Sequence, residues 1–121
     1  MLLVVIESPL AAPTSKQRVR YKQYAKRAML DCLRRGEAPY ASHLLFTRKN
    51  ILDDLKIDER ELGMQAGFAW GAKADIVAVY ADFGISYGMR RGIERALRQG
   101  QKVEYRYLEK DNESHASRTR I

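Results

Sequence analysis

The sequence predicts an α/β fold with three layers built around a parallel sheet of four to five strands. Two runs, Leu2–Ile6 and Ile76–Tyr80, are continuously apolar and rich in β-branched residues, as parallel strands buried on both faces usually are. Amphipathic helical segments separate the predicted strands. Helical crossovers make neighbouring strands parallel and the connections right-handed, so this element order favours a helix-covered parallel sheet.

The length of 121 residues fits one domain, assigned to residues 1–108, followed by a polar C-terminal tail over 109–121. Cys32 is the single cysteine, which excludes an internal disulfide and fits a reducing cytoplasm. His43 and His115 do not complete a metal-cluster spacing with it, so no metal or other cofactor is expected. No run reaches the roughly 18 apolar residues of a membrane span, and Leu2–Ile6 is too short for a signal peptide.

The net charge of +7 and the isoelectric point near 9.7 fit an anionic partner. Nucleic acid, an anionic surface and a phosphorylated small molecule all satisfy this condition. Most of the excess charge lies in Lys16–Arg35 and Arg90–Lys102, which are both predicted helices. Solvated helix faces therefore explain the charge as well as a partner does.

The first half of the chain is predicted to place a long helix between two strands. Thr14 or Ser15 can cap this helix, which runs to about Arg35 and stops at Gly36. A short strand is expected at Ala38–Tyr40. The apolar positions of the helix follow the spacing of one helical face: Tyr21, Tyr24, Ala25, Ala28, Met29, Cys32 and Leu33.

The middle of the chain is predicted to hold a second helix, over Asp58–Trp70. Asp58 and Glu61 have the spacing of a capping box, and the acidic segment before them could form a helical turn at Ile51–Leu55. Three glycines recur every four residues and predict a close approach to the sheet or to a partner subunit: Gly63, Gly67 and Gly71. Three larger side chains share a different face: Leu62, Ala66 and Ala69.

The last predicted helix is capped by Ser86 and runs to about Gln99. It follows a loop at Asp82–Ile85 and precedes an edge strand at Lys102–Leu108. The apolar face of the helix is expected to contain Met89, Ile93, Ala96 and Leu97. The half-exposed strand alternates at Val103, Tyr105 and Tyr107. Residues 109–121 are expected to form a frayed tail.

A ligand crevice is expected outside the C-terminal ends of the strands, as in other open parallel sheets. This rule selects Glu7, Ser8 and Pro9 after the first strand. It selects Ser42 and His43 after the second strand, and Asp82, Gly84, Ser86 and Gly88 after the third. His43 could hydrogen-bond a ligand or act as a general acid or base. The aromatic residues expected nearest the crevice could stack on a base, and they are Tyr24, Tyr40 and Tyr87.

The helix start from Ser86 through Tyr87 and Gly88 to Met89 is the segment best suited to a phosphate. The first backbone N–H groups of a helix lack internal partners and carry partial positive charge. An ordinary capped turn with a glycine explains the same residues without a ligand.

Several segments of the chain resemble the nucleoside 2-deoxyribosyltransferase-like proteins, which include deoxynucleoside monophosphate glycosidases and small, often phage-borne, relatives. The segments that carry the resemblance are residues 4–10, residues 74–80, Ser86-x-Gly88-Met89 and Ala96-x-x-x-Gly100-x-x-Val103. Together they span roughly residues 2 to 108. The resemblance implies a Rossmann-like sheet, a homodimer or larger homo-oligomer, and a 5′-phosphate contact at Ser86.

The resemblance also implies a nucleophilic glutamate in a Ser-x-Gly-x-x-x-Glu pattern, but this chain has Gly92 at that position. A glycine cannot attack the anomeric carbon of a sugar. Glu94 points about 200° away around the helix. Glu7 and Asp82 are the acids that could replace the missing group, although Glu7 could instead pair with an arginine.

A cluster of acids precedes and opens the second helix: Asp53, Asp54, Asp58, Glu59 and Glu61. Acidic loops can hold Mg²⁺ with phosphates, but charge that complements a helix N-terminus explains these residues adequately. They could also meet the basic first helix of a neighbouring subunit.

Three functions follow as hypotheses. The first is a nucleoside- or nucleotide-binding protein without transferase chemistry, for example one that sequesters a nucleotide-derived signal, and the glycine at position 92 favours it. The second is an N-glycosidase or deoxyribosyltransferase that uses Glu7 or Asp82. The third is nucleic-acid binding through the basic helix 16–35, which is less favoured because no RNA- or DNA-binding motif is present.

Overall fold

The computed structural model describes residues 1–109, and the predicted frayed tail with His115 lies almost wholly outside them. The elements in chain order are β1 (Leu3–Glu7), α1 (Ser15–Arg34), β2 (Ala38–Tyr40), α2 (Ser42–Leu45), α3 (Ile57–Gly71), β3 (Ile76–Tyr80), α4 (Tyr87–Arg98) and β4 (Lys102–Arg106). The four strands form one sheet in the order β2-β1-β3-β4, and every neighbouring pair is parallel. The predicted α/β class is confirmed. Within residues 1–109, no helix is both long and apolar enough to cross a membrane.

The central strands β1 and β3 are buried on both faces, as their continuous apolar runs predict. On one face, Ile6 and Tyr80 pack with Tyr24 and Cys32 of α1. On the other face, the core contains Val5, Val77, Val79, Ala81, Met89, Ile93 and Ala96. Alternate residues of the same strand therefore belong to different core layers, one under α1 and one under α4.

Helix α1 begins and ends close to the predicted positions. The Thr14 side chain accepts a hydrogen bond from the backbone N–H of Gln17, and Gly36 follows the helix with a φ of +79°. Tyr24 and Cys32 face the core as expected, whereas Leu33 is exposed. The apolar stripe is thus narrower than its spacing suggests.

Helix α3 departs most from the sequence prediction. It starts after Lys56 without a side-chain cap, so the capping box of Asp58 and Glu61 is wrong. Glu61 instead binds Arg91 of α4 at 2.7 and 2.9 Å. Residues 51–55 form turns rather than a helix. Ser42 and His43, expected in a loop after the second strand, belong instead to the short helix α2.

The glycines of α3 form its buried side. A Cβ at Gly67 would lie 2.6 Å from Oγ of Ser42, and one at Gly71 would lie 3.5 Å from Cγ2 of Val5. The predicted close approach to the sheet is confirmed, and the same spacing also brings α3 against α2. Leu62, on the alternative face, is 60% exposed.

The C-terminal elements follow the prediction with two differences. Leu97 of α4 is exposed, while Met89, Ile93 and Ala96 are buried. Strand β4 ends at Arg106, and this arginine is only 3% exposed. Its guanidinium group donates to both carboxylate oxygens of Glu37 at 2.8 and 2.7 Å. Apolar alternation could not predict this, because the buried side chain is charged.

Candidate functional site

A cleft opens at the C-terminal end of β1. The next strand in the chain, β2, lies on one side of β1, and the following strand, β3, lies on the other side. Ligands bind at such switch points in open α/β sheets. The cleft is lined by Val5, Glu7, Ser8, Leu10, Ala11, Ser42, His43, Phe46, Thr47, Leu52, Asp54, Glu59, Arg60, Gly63, Met64, Gly67, Phe68, Ser86, Gly88 and Met89. Its cavity volume is about 100 Å³. This is smaller than a typical small-molecule site, so a ligand the size of a nucleotide would also occupy the part of the cleft that is open to solvent.

The carboxyl group of Glu7 extends from the end of β1 to the surface of α4. A Cβ atom added at Gly92 would overlap this carboxyl group, with Oε1 only 2.8 Å away. Glu7 therefore occupies the volume that any side chain at position 92 would need. Burial raises the pKa of Glu7 to about 8, and the positive charge of Arg95 acts in the opposite direction. Within residues 1–109, Glu7 forms no direct ion pair, so the arginine partner expected for it is present only as the longer-range charge of Arg95.

Ser8 and His43 form a hydrogen-bonded pair in the same cleft. The Ser8 Oγ atom lies 2.8 Å from Nε2 of His43. Burial lowers the pKa of His43 to about 4, so the ring is neutral near neutral pH. The pair thus brings a hydroxyl group and a neutral imidazole to the loop that follows Glu7.

The start of α4 opens on the cleft through Ser86 and Gly88. Ser86 Oγ accepts a hydrogen bond from the Met89 N–H at 3.3 Å, which confirms Ser86 as the cap. The N–H groups of Tyr87 and Gly88 have no acceptor among the described residues. These two donors, together with the helix dipole, can receive an anion.

The comparisons with known proteins give a family and a fold. A family model described as a domain of unknown function (DUF7768) matches residues 2–106. This chain belongs to the DUF7768 family. A comparison with curated proteins finds no match.

Two solved structures are similar to this DUF7768 chain. A 2-deoxyribosyltransferase from the psychrotolerant bacterium Bacillus psychrosaccharolyticus has a TM-score of 0.59 and 12% identity, over 87% of this chain and 72% of that one. A CMP N-glycosidase from Clostridium botulinum has a TM-score of 0.52 and 12% identity, over 87% of this chain and 71% of that one. At such identity the similarity shows the fold alone, which is the fold that the sequence resemblance implies.

The cleft of the DUF7768 chain brings together seven of the predicted site residues, from three separate loops and helix starts: Glu7, Ser8, Ser42, His43, Ser86, Gly88 and Met89. The remaining six lie elsewhere: Pro9, Tyr24, Tyr40, Asp82, Gly84 and Tyr87.

Asp82 is committed to a structural role on the opposite side of the sheet end. It accepts hydrogen bonds from the Tyr24 hydroxyl at 2.5 Å and from the backbone N–H groups of Leu108 and Glu109 at 2.8 and 3.1 Å. Burial opposes the charge of Asp82, but these hydrogen bonds hold its pKa below the usual range. Asp82 and Tyr24 therefore fix the residues that follow β4 and do not line the cleft. The catalytic role expected for Asp82 and the ligand contact expected for Tyr24 are not supported.

The other outlying residues have local explanations. Tyr40 packs against Trp70 with ring centroids 5.9 Å apart. Gly84 has a φ of +84°, which the turn before α4 requires, and Pro9 is buried. Tyr87 is exposed and faces a groove between α3 and α4 instead of the cleft.

Sequence reasoning missed the wall that α3 and its preceding loop contribute, including Leu52, Asp54, Arg60, Met64 and Phe68. The glycine spacing was the available signal, because it places α3 close to the other elements that line the cleft. The acids Asp58 and Glu59 lie in the first turn of α3, as the helix-dipole interpretation predicts. Among the described residues, no three His, Cys, Asp or Glu side chains are grouped to hold a metal ion.

Proposed function

We propose that this DUF7768 chain binds a nucleoside or nucleotide in the cleft and cleaves or transfers its N-glycosidic bond with the carboxyl group of Glu7. The observation that carries the proposal is the overlap between this carboxyl group and a side chain at position 92. The resemblance places a nucleophilic glutamate there. Glu7 brings the same functional group against the same helix position, from a strand instead of a helix.

The chemistry requires the ionised form of Glu7. Its carboxylate attacks the anomeric carbon, and the base leaves with the bonding electrons and takes up a proton. Water or a second base then displaces Glu7 from the sugar. Since the pKa of Glu7 is about 8, the attacking form becomes more abundant as the pH rises through neutrality. The rate is therefore expected to increase with pH up to about that value.

The polarity of the cleft suggests how the ligand is oriented. The unpaired N–H groups of Tyr87 and Gly88 suit a phosphate or another anionic group. Asp54, whose pKa is raised by burial, repels an anion and suits hydroxyl or amino donors on the sugar or base. A nucleotide satisfies both conditions. The two solved structures of similar fold are a 2-deoxyribosyltransferase and a CMP N-glycosidase, which agrees with such a ligand.

The first test measures release of free base. Nucleosides and nucleoside 5′-monophosphates, in ribose and deoxyribose forms, are incubated with the protein and separated by chromatography. Glu7→Gln is expected to reduce base release by roughly 100-fold or more. Glu94→Gln is the matched control, because Glu94 is exposed on α4 outside the cleft, and it should retain activity.

The second test exchanges the two positions. Glu7→Ala removes the carboxyl group, and Glu7→Ala/Gly92→Glu returns one from the helix side. If a carboxyl group beside this turn of α4 is what matters, the double variant recovers base release that the single variant lacks. A double variant that folds, by circular dichroism, but stays as inactive as Glu7→Ala would contradict the proposal.

A binding protein that sequesters a nucleotide-derived signal is the second candidate. The pKa of about 8 favours it, since a protonated Glu7 donates a hydrogen bond to a ligand instead of attacking it. In that case native mass spectrometry would detect a stoichiometric complex, and chromatography would recover the ligand unchanged.

A further inference from the structure

A second concave surface, here called the arginine groove, lies between α3 and α4. It is lined by Gln65 and Phe68 of α3 and by Tyr87, Arg90, Arg91, Glu94, Arg95 and Arg98 of α4. Its cavity volume is about 550 Å³. Four arginines and one acid give this surface a strong preference for anions.

The arginines form a row along α4. Arg91, Arg95 and Arg98 are spaced by four and three residues, so they share one face and extend over about 10 Å of the helix axis. Arg91 is neutralised by its two hydrogen bonds to Glu61. Arg90 and Arg98 are exposed and make no ion pair within residues 1–109. The row therefore offers several cationic groups to a ligand longer than one phosphate.

Arg95 is a nearly buried cation without a carboxylate partner among the described residues. It is 7% exposed, and its Nη1 group donates to the side-chain oxygens of Gln99 and Gln101 at 2.7 and 2.6 Å. Its Nε–H has no acceptor among residues 1–109. Gln101 is itself fixed to the carbonyl oxygens of Gly71 and Ala74. The guanidinium group is thus held in place by neutral hydrogen-bond acceptors, and its charge acts on the carboxyl group of Glu7 without a direct ion pair among the described residues.

Aromatic side chains stand beside these cations. Tyr87 is 71% exposed. The Arg91 guanidinium carbon lies 5.6 Å from the ring centroid of Phe68 and 5.9 Å from that of Tyr87. Alternating cationic and aromatic groups bind single-stranded nucleic acid, because the arginines contact phosphates and the rings stack on bases. A chain of phosphates without bases would make no use of the rings.

The groove continues into the cleft. Phe68 lines both, and the neighbouring residues Tyr87 and Gly88 line the groove and the cleft respectively. The groove and the cleft therefore adjoin at Phe68 and at the start of α4, where a strand could pass from one to the other.

We infer that the arginine groove binds a single-stranded oligonucleotide and directs its terminal nucleotide into the cleft. This inference rests on the proposed function for the identity of the cleft ligand. It makes the substrate a nucleotide carried in a strand rather than a free nucleoside.

The experiment compares a labelled mixed-sequence DNA tetranucleotide with the four deoxynucleoside 5′-monophosphates and with deoxynucleoside triphosphates. Binding is measured by anisotropy for the tetranucleotide and by calorimetry for the others. The test variant is Arg90→Gln/Arg98→Gln. The control is Lys22→Gln/Lys26→Gln, which removes the same charge from exposed positions of α1. Tyr87→Ala tests stacking.

The wild-type protein is expected to bind the tetranucleotide more tightly than any monophosphate. Loss of two phosphate contacts in the groove variant should weaken tetranucleotide binding roughly 10-fold, and Tyr87→Ala should do so to a similar extent. The α1 control should stay within about threefold, since its charges are not aligned with the groove. Monophosphate affinity should be unchanged in the Arg90→Gln/Arg98→Gln variant and in the α1 control.

Three results would overturn the inference: a tetranucleotide bound no tighter than a monophosphate, equal losses in the groove and α1 variants, or triphosphates bound as tightly as the tetranucleotide. The two proposals fail separately. Base release with no effect of the groove variant refutes the groove alone. Groove-dependent tetranucleotide binding without any monophosphate binding or base release refutes the cleft assignment alone.

Discussion

Glu7 is an acidic group whose surroundings favour its neutral form. It follows the buried residues of β1 and faces a helix position that carries only hydrogen. Because burial desolvates the carboxylate, its pKa rises from 4.5 to about 8. A residue that is unremarkable in sequence thus acquires a proton affinity suited to reaction near neutral pH.

The first prediction concerns the pH dependence of stability. Between pH 4.5 and 8 the folded chain keeps a proton on Glu7 that the unfolded chain has released. The contribution of Glu7 to the free energy of unfolding should therefore decrease as the pH rises through this window, by up to about 1.4 kcal/mol per pH unit. Urea unfolding of the wild-type protein and of Glu7→Gln should show the variant gaining relative stability across the window. A difference that is constant with pH would contradict the assignment.

The sequence could select Glu7 but could not distinguish it from Asp82. Both acids follow a parallel strand, so the crevice rule predicts both. The hydrogen bonds that occupy Asp82 come from Tyr24 and from Leu108, which are 58 and 26 residues away. The overlap of Glu7 with Gly92 is equally long-range. Local patterns identify chemical groups, whereas their partners depend on tertiary packing.

Helix α3 shows, at the scale of an element, that local sequence patterns do not determine tertiary packing. Hydrophobic periodicity assumes that the larger side chains face inward. In α3 the glycines face inward, and Leu62 and Trp70 are 60% and 64% exposed. The existence of the helix was predictable from its pattern, and its orientation was predictable only from the glycine spacing.

The second prediction tests this packing. Gly67→Ala places a methyl group 2.6 Å from Oγ of Ser42 and should destabilise the protein by about 1–3 kcal/mol. This loss should occur although alanine favours an isolated helix by up to about 1 kcal/mol. The measurement is the free energy of unfolding in urea.

Two comparisons complete the test of α3. Gly63→Ala should be tolerated better, because its nearest neighbour is the flexible end of Leu52 at 3.3 Å. Adding Ser42→Gly to Gly67→Ala should recover part of the loss, since both of the close atoms belong to that side chain. Independent, additive effects of the two changes would refute the contact.

At the scale of the whole molecule, the ion pair of Glu37 and Arg106 connects the two edges of the sheet. Glu37 precedes β2 on one edge, and Arg106 ends β4 on the other. The hydrogen bonds from Arg106 lower the pKa of Glu37, so the pair stays ionised at neutral pH. The sequence predicted the strands correctly, but it gave no indication that charged residues complete the core beneath α1.

The third prediction addresses this pair. Arg106→Met leaves the Glu37 carboxylate buried without its partner and should cost about 3–5 kcal/mol in the free energy of unfolding. Arg106→Met/Glu37→Leu should recover most of that cost, because two apolar groups need no compensation. Thermal and urea unfolding of the single and double variants check both values. A double variant that is less stable than Arg106→Met would show that the charges are not coupled.

This pair has a consequence for how the sheet opens. Outer strands usually detach first, since each has only one neighbouring strand. Here the release of β4 would leave the Glu37 carboxylate without its partner in a low-dielectric interior, at the opposite edge of the sheet. Amide hydrogen exchange in β2 and β4 should accordingly proceed in concert, so that the borders of the sheet behave as a single cooperative unit.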